Sequence, residues 1–139
     1  FDSVTSYVWI HHVPLDEFPE TPYQKVMQKY GAYRDQAVSE FHVPYYPNVT
    51  MGWDSTPRVD SSVPYTGKSY PNMAMMSGNT PAAFRKALEE ARRFLDARPA
   101  DQRILTINAW NEWTESSYLE PDTVSGTAYL DAIREVFGR

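Results

Sequence analysis

Apolar and polar positions alternate over "SVTSYVWIHH" (3–12), a stretch rich in β-branched and aromatic residues, and this predicts a strand that ends in polar residues. The period changes over "TPYQKVMQKYGAYRDQAV" (21–38). There Tyr23, Val26, Met27, Tyr30 and Ala37 recur mostly on one helical face, with Thr21 as N-cap, Pro22 in the first turn and Gly31 as the weak point. "FHVPYYPNVTMGWD" (41–54) begins as a second strand whose ladder Pro44 and Pro47 must limit. Regular patterning then stops: residues 55–79 carry Pro, Gly, Ser and Asn throughout, with "MAMM" (73–76) as a short strand inside them. A loop of that length is uncommon in a compact domain and is often functional. The strongest helix is "NTPAAFRKALEEARRFLDARP" (79–99), capped by Thr80, opened by Pro81, striped by Phe84, Leu88, Ala91 and Leu95 and followed by Pro99. "RILTINAW" (103–110) reads as a third strand, and "GTAYLDAIREVFGR" (126–139) as a closing helix with a stripe of Tyr129, Leu130, Ile133, Val136 and Phe137.

Strands that alternate with helices imply an α/β fold with a parallel sheet covered by helices. A complete (β/α)8 barrel of the TIM type needs about 250 residues, and the 139 residues here supply roughly half of one. The chain begins at Phe1 with neither an initiator Met nor a signal peptide, so it is read as a piece of something longer.

Composition narrows the partners. With no cysteine, thiol chemistry, disulfides and cysteine-based zinc sites are not available. A net charge of −5 without a basic cluster argues against nucleic acid and anionic membranes as partners. No apolar run approaches the roughly 18 residues that span a bilayer. No Walker-type or G-x-G-x-x-G loop appears, so no nucleotide cofactor is expected. Tyrosines (10) and tryptophans (4) sit often beside Pro, Asn, Gly and Asp rather than in periodic segments, a placement that suits stacking on flat ligands such as sugar rings at a mouth.

The candidate chemistry lies in "NAWNEWTESSYLEPD" (108–122), which holds Glu112, Glu115 and Glu120, two tryptophans and no Lys or Arg. Acids without a local base are costly to bury unless something needs them there. Alternation along the preceding strand puts Ile104, Thr106, Asn108, Trp110 and Glu112 on one face and the apolar Leu105, Ile107 and Ala109 on the other. Glu115, an odd number of residues further on, meets Glu112 in one pocket only if the chain turns near Trp113–Thr114. Paired carboxylates at a sugar-sized mouth are the usual equipment of glycoside cleavage, one as acid and the other as base or nucleophile.

"AWNEWTESSYLEPD", with "GWDSTPR" (52–58) upstream, closely resembles the glycoside hydrolase family 99-like proteins, including the WbsX-like domains, whose usual strings read like AWNEWAEGxYLEPD and GWDNTPR. The resemblance covers roughly residues 40–137. It implies that residues 1–139 are the C-terminal part of one (β/α)8 catalytic domain acting on α-linked glycans, with the rest of the barrel before Phe1 and a secreted or periplasmic location. The N-E-W-x-E string matches at Asn111, Glu112, Trp113 and Glu115. By that likeness Glu112 assists the sugar's 2-hydroxyl in attacking its own anomeric carbon, while Glu115 protonates the leaving oxygen and later activates water. A glycosyltransferase, as the WbsX label has it, and a non-catalytic glycan-binding barrel are the alternatives. The family usually has Gly where this chain has Ser116.

The remaining candidates each carry two readings. Asp54 and Arg58 either hold sugar hydroxyls or pair with each other in a turn. Trp53 either stacks on a sugar or belongs to the core. Trp110, Trp113, Asn111, Tyr118 and Glu120 are expected to line the same mouth, although "YLEPD" is equally a structural turn. His11 ends a strand and is placed to face the pocket. His11, His12 and His42 are not expected to form a metal site, because adjacent residues point to opposite sides of a strand.

Overall fold

The computed structural model describes residues 1–138. The chain runs β1 (Val4–Thr5), a 3-10 turn (Trp9–His11), β2 (Glu20–Pro22), α1 (Tyr23–Glu40), β3 (Tyr45–Tyr46), β4 (Asn48–Val49) and a second 3-10 turn (Thr56–Arg58). It continues through β5 (Met75–Ser77), α2 (Pro81–Asp96), a turn at Ala100–Gln102, β6 (Thr106–Ile107), β7 (Asn111–Glu112), a turn at Trp113–Glu115, β8 (Ser117–Tyr118) and α3 (Ala128–Phe137).

Three extended segments lie side by side and parallel, since β1 pairs with β3 and β4 pairs with β6 in the registers Thr5↔Tyr46 and Asn48↔Thr106. Segment 45–49 changes partner at Pro47. Proline has no N–H to give to a ladder, and its carbonyl accepts from Thr106 N at 3.0 Å instead. A further parallel pair, β2 with β5, joins a strand absent from the sequence reading to the expected one inside the long loop. Helix α1 connects β1 to β3 and α2 connects β4 to β6, so the strand–helix–strand order places helices between parallel neighbours.

Four expectations change. The strand over 3–12 stops at Thr5, because Trp9 turns inward. Its indole Nε1 donates to Asn48 O at 2.9 Å, its backbone N donates to Thr50 Oγ1 at 3.0 Å, and its ring stacks on Tyr30 with 5.2 Å between centroids. The helix expected from Thr21 begins at Tyr23 without a side-chain cap; the buried Thr21 hydroxyl donates to Glu17 O instead. The strand expected over 103–110 keeps its ladder only at Thr106–Ile107. Asn108 turns its side chain to accept from Met51 N, and the chain leaves the parallel sheet for the β7–β8 hairpin. Phe137 also falls outside the buried stripe of α3, which centres on Ala132 and Val136.

Helix α2 has the predicted form. Thr80 Oγ1 accepts from Ala83 N, Pro81 occupies the first turn, and Phe84, Leu88, Ala91 and Leu95 are buried. A fully buried side chain such as Phe84 contributes about 1.5–3 kcal/mol. Leu105 and Ile107, on the apolar face of the third strand, pack against the same core. Among the described residues no helix is long and apolar enough to cross a membrane.

His12 stacks on Tyr33 at 4.4 Å in this packing, and burial followed by the neighbouring His11 lowers its pKa from 6.5. The unfolded chain then binds more protons than the folded one in the interval below 6.5. Stability should therefore be complete above pH 6.5 and decline as pH falls through the folded value. Thermal melts between pH 7.5 and pH 5 should show this decline, and His12→Phe should flatten it.

Candidate functional site

Two motifs meet at the C-terminal ends of the parallel strands. "GWDSTPR" follows β4, and "NEWTESSY" follows β6. They are laced together through main chain: Asp54 N donates to Glu115 O at 2.8 Å, and Ser117 Oγ donates to Gly52 O at 2.5 Å. A Cβ at Gly52 would come within 2.8 Å of Ser116 O and would run into the Asn79 amide, so only glycine allows this approach.

Asp54 does not pair with Arg58. Its Oδ1 accepts from Thr56 N at 2.8 Å and so opens the 3-10 turn whose last residue is Arg58. That turn projects the guanidinium between the two glutamates. Arg58 Nη2 donates to Glu112 Oε1 at 2.6 Å, Nη1 donates to Glu115 Oε1 at 2.6 Å, and Nε donates to Thr114 Oγ1 at 2.8 Å. Thr114 in turn donates to Glu112 Oε1 at 3.0 Å. The Tyr70 hydroxyl accepts from Arg58 Nη1 and donates to Glu115 Oε1 at 3.1 Å. Tyr70 first, then the Glu115 and Glu112 charges, raise the Arg58 pKa further against desolvation.

Glu112 and Glu115 converge because Trp113–Glu115 forms a 3-10 turn closed by Ser116 in the left-handed region, at φ 50° and ψ 36°. A straight strand would have sent them to opposite faces. Glu115 is buried and Glu112 half-exposed. Each engages its partners through Oε1, and among the described residues neither Oε2 has a hydrogen bond. Two carboxylate oxygens are thus left for a ligand while one guanidinium fixes the spacing of the pair.

Ser116 is the one non-glycine residue among those described with positive φ. The left-handed region costs an L residue about 1–2 kcal/mol, and glycine loses part of that advantage to unfolded-chain entropy, ~0.5–1 kcal/mol. Ser116→Gly is therefore expected to raise stability by about 0.5–1 kcal/mol, read as a higher urea midpoint at an unchanged slope.

The aromatic residues divide. Trp110 and Trp113 are 52% and 44% exposed beside the pair. Both indoles donate to Glu120, at 3.1 and 2.7 Å, so this carboxylate orients the tryptophans. Trp113 also stacks on Tyr118, with 3.8 Å between ring centroids. Trp53 is 4% exposed and belongs to the core, with its ring 6.3 Å from that of Tyr70. Asn111 is exposed, and its backbone pairs with Tyr118. His11 lies in the first 3-10 turn against Tyr7 and makes no hydrogen bond to the cluster. Among the described residues no group of three or more His, Asp or Glu is placed to hold a metal ion.

Tyr70 and Thr114 were missed from the sequence. Thr114 sits inside the motif. For Tyr70 the signal was the long polar loop itself, which returns across the strand ends and is tied by Ser55 Oγ donating to Pro71 O at 2.6 Å and by Asn72 Oδ1 accepting from Thr66 N at 2.8 Å.

A family model described as glycosyltransferase WbsX matches residues 6–133. Two curated proteins, each called uncharacterized protein WxcX and coming from two strains of Xanthomonas campestris pv. campestris, are 37% identical to this chain over 95 residues. The match covers 68% of the chain and 12% of the relatives, so the chain corresponds to a small part of their length. No solved structure matches the chain significantly.

Proposed function

The chain belongs to the WbsX glycosyltransferase family, and from that premise we propose that Arg58, Glu112 and Glu115 form the centre of a glycan-processing enzyme that cleaves α-linked glycans. The observation that carries this reading is the convergence of two glutamates on one guanidinium beside two exposed indoles. The strand–helix units around them are proposed to be part of a (β/α)8 barrel, in which chemistry belongs at the C-terminal strand ends.

In the proposed reaction the sugar lies against the exposed rings of Trp110 and Trp113. Glu112 Oε2 takes the proton of the sugar's 2-hydroxyl as that oxygen bonds to the anomeric carbon. The bond to the leaving oxygen breaks as Glu115 Oε2 gives it a proton. A second step reverses these transfers: the incoming hydroxyl gives its proton to Glu115 as its oxygen bonds to the anomeric carbon, the bond between that carbon and the 2-oxygen breaks, and the 2-oxygen regains its proton from Glu112. Two displacements retain configuration. Water as the incoming group gives hydrolysis, and a sugar hydroxyl gives transfer.

Transfer from an activated donor is the second reading, favoured by the description of the family. Arg58 is then the cation nearest the reacting centre, yet both of its Nη atoms are already engaged by carboxylates. One experiment separates the readings. The intact protein is incubated with α-linked oligosaccharides in 18O-enriched water, with and without an acceptor sugar, and in parallel with nucleotide-activated sugars. Labelled reducing ends are expected from the oligosaccharides alone. Product from activated sugars only would replace hydrolysis by transfer, and no product under any condition would remove the enzymatic reading.

A further inference from the structure

We infer that the cavity of about 350 Å³ bordered by the 116–118 segment, the start of α2 and Tyr129 of α3 is a second carbohydrate subsite, taking one neutral hexose unit. The inference rests on the glycan reading above but on different side chains, since Glu112, Glu115 and Arg58 do not line this cavity. Neighbouring residues separate the two places: Glu115 joins the arginine fork and Ser116 lies on the cavity wall.

Three features define the occupant. The first is unused hydrogen-bonding capacity. The Asn79 amide, the Ser116 and Ser125 hydroxyls and Asp54 Oδ2 have no protein partner among the described residues, and all four residues line the cavity. Polar groups gathered in a concave space bind a ligand rich in hydroxyls. The second is apolar lining, since Tyr118, Tyr129 and the buried Met51 and Met76 border the same cavity and offer apolar surface to the C–H face of a sugar. The third is charge. Asp54 is the sole acidic side chain lining the cavity, and no Lys, Arg or His does so among the described residues. A carboxylate accepts paired hydroxyls and repels a uronate or a phosphate, so the ligand is a neutral hexose.

The cavity is also constructed. Gly52 leaves room for the Asn79 amide, which a Cβ there would displace, and Tyr129 OH donates to Asn79 O to fix that residue from the other side. The strained Ser116 carries its hydroxyl on the wall while its neighbour Glu115 holds Asp54 through the main chain. An occupant would thus press on the turn that positions Glu115, coupling a bound hexose to the glutamate pair.

Saturation-transfer NMR titration of the intact protein with methyl α-mannoside, methyl α-glucoside and methyl α-glucuronide tests the inference. The Trp110→Ala variant, which leaves Trp113 stacked on the cavity residue Tyr118, should retain saturable binding of one of the neutral glycosides. Asn79→Leu in that background should weaken it about 5–10-fold, the loss of one or two net hydrogen bonds. Ser125→Ala should weaken it less and guards against misfolding of the larger replacement. The glucuronide should bind more weakly than the neutral glycosides. Binding indifferent to both Asn79→Leu and Ser125→Ala, or no saturable binding in the tryptophan variant, overturns the subsite. Binding that depends on Asn79 but is unaltered by loss of Trp110 keeps the subsite and removes Trp110 from the sugar platform of the proposed active centre.

Discussion

Glu115→Gln in the intact protein is expected to lower turnover of an α-linked glycan by about 10²–10⁴-fold, the contribution of a positioned acid. Most activity should survive on an aryl glycoside whose leaving group departs without a proton. Glutamine keeps the shape of the side chain and still offers an oxygen to Arg58 Nη1 and Tyr70, so the turn should persist. What disappears is the proton carried by Oε2. Glu112→Gln should depress both substrates, because the 2-hydroxyl must be activated whatever group leaves, and a 2-deoxy substrate should not be turned over. Steady-state rates on the two substrates read this contrast. Equal losses on both substrates for Glu115→Gln would take the acid role away from it, and normal turnover of the 2-deoxy substrate would remove neighbouring-group attack.

Arg58→Lys should lower kcat/KM on both substrates by on the order of 10²-fold, the effect of a catalytic group misplaced by about 1 Å. The guanidinium works as a plane, with Nε on Thr114, Nη2 on Glu112 and Nη1 on Glu115 and Tyr70. A lysine ammonium is a single point and cannot meet these four partners in that geometry. It keeps the positive charge, so a loss of activity would assign the arginine's role to geometry. The loss should not depend on the leaving group, unlike that of Glu115→Gln. Wild-type rates for Arg58→Lys would mean that the fork does not set the spacing of the glutamates.

The parts of this site that sequence could reveal are those in which local pattern and tertiary placement agree. Helix α2 was legible because its cap, its proline and its stripe are all contained in the segment. The 3-10 turn that joins Glu112 to Glu115 was foreseen as a condition, since parity along a strand forbids their meeting otherwise. Strand lengths were not legible. Alternation persists through 3–12 and 103–110, but hydrogen-bond pairing stops wherever a side chain such as Trp9 or Asn108 finds a partner off the ladder. Trp53 resembled the other tryptophans in sequence and proved to be core, because burial depends on what covers a residue. The sequence singles out Arg58 and Asp54 either as a pair in a turn or as holders of sugar hydroxyls. The Asp54 carboxylate instead makes the local turn, and the arginine serves acids 54 and 57 residues away. The long loop that carries Tyr70 was legible, but the place of Tyr70 beside Glu115 was not, because a loop's return path is written in its tertiary contacts.

The most direct test is a crystal structure of the intact Glu112→Gln/Glu115→Gln variant with an α-linked oligosaccharide. The account predicts a glycosidic oxygen beside residue 115, the 2-hydroxyl of the same sugar beside residue 112, and the ring against Trp110 or Trp113. An oligosaccharide bound elsewhere, with the Arg58 fork untouched, would contradict it.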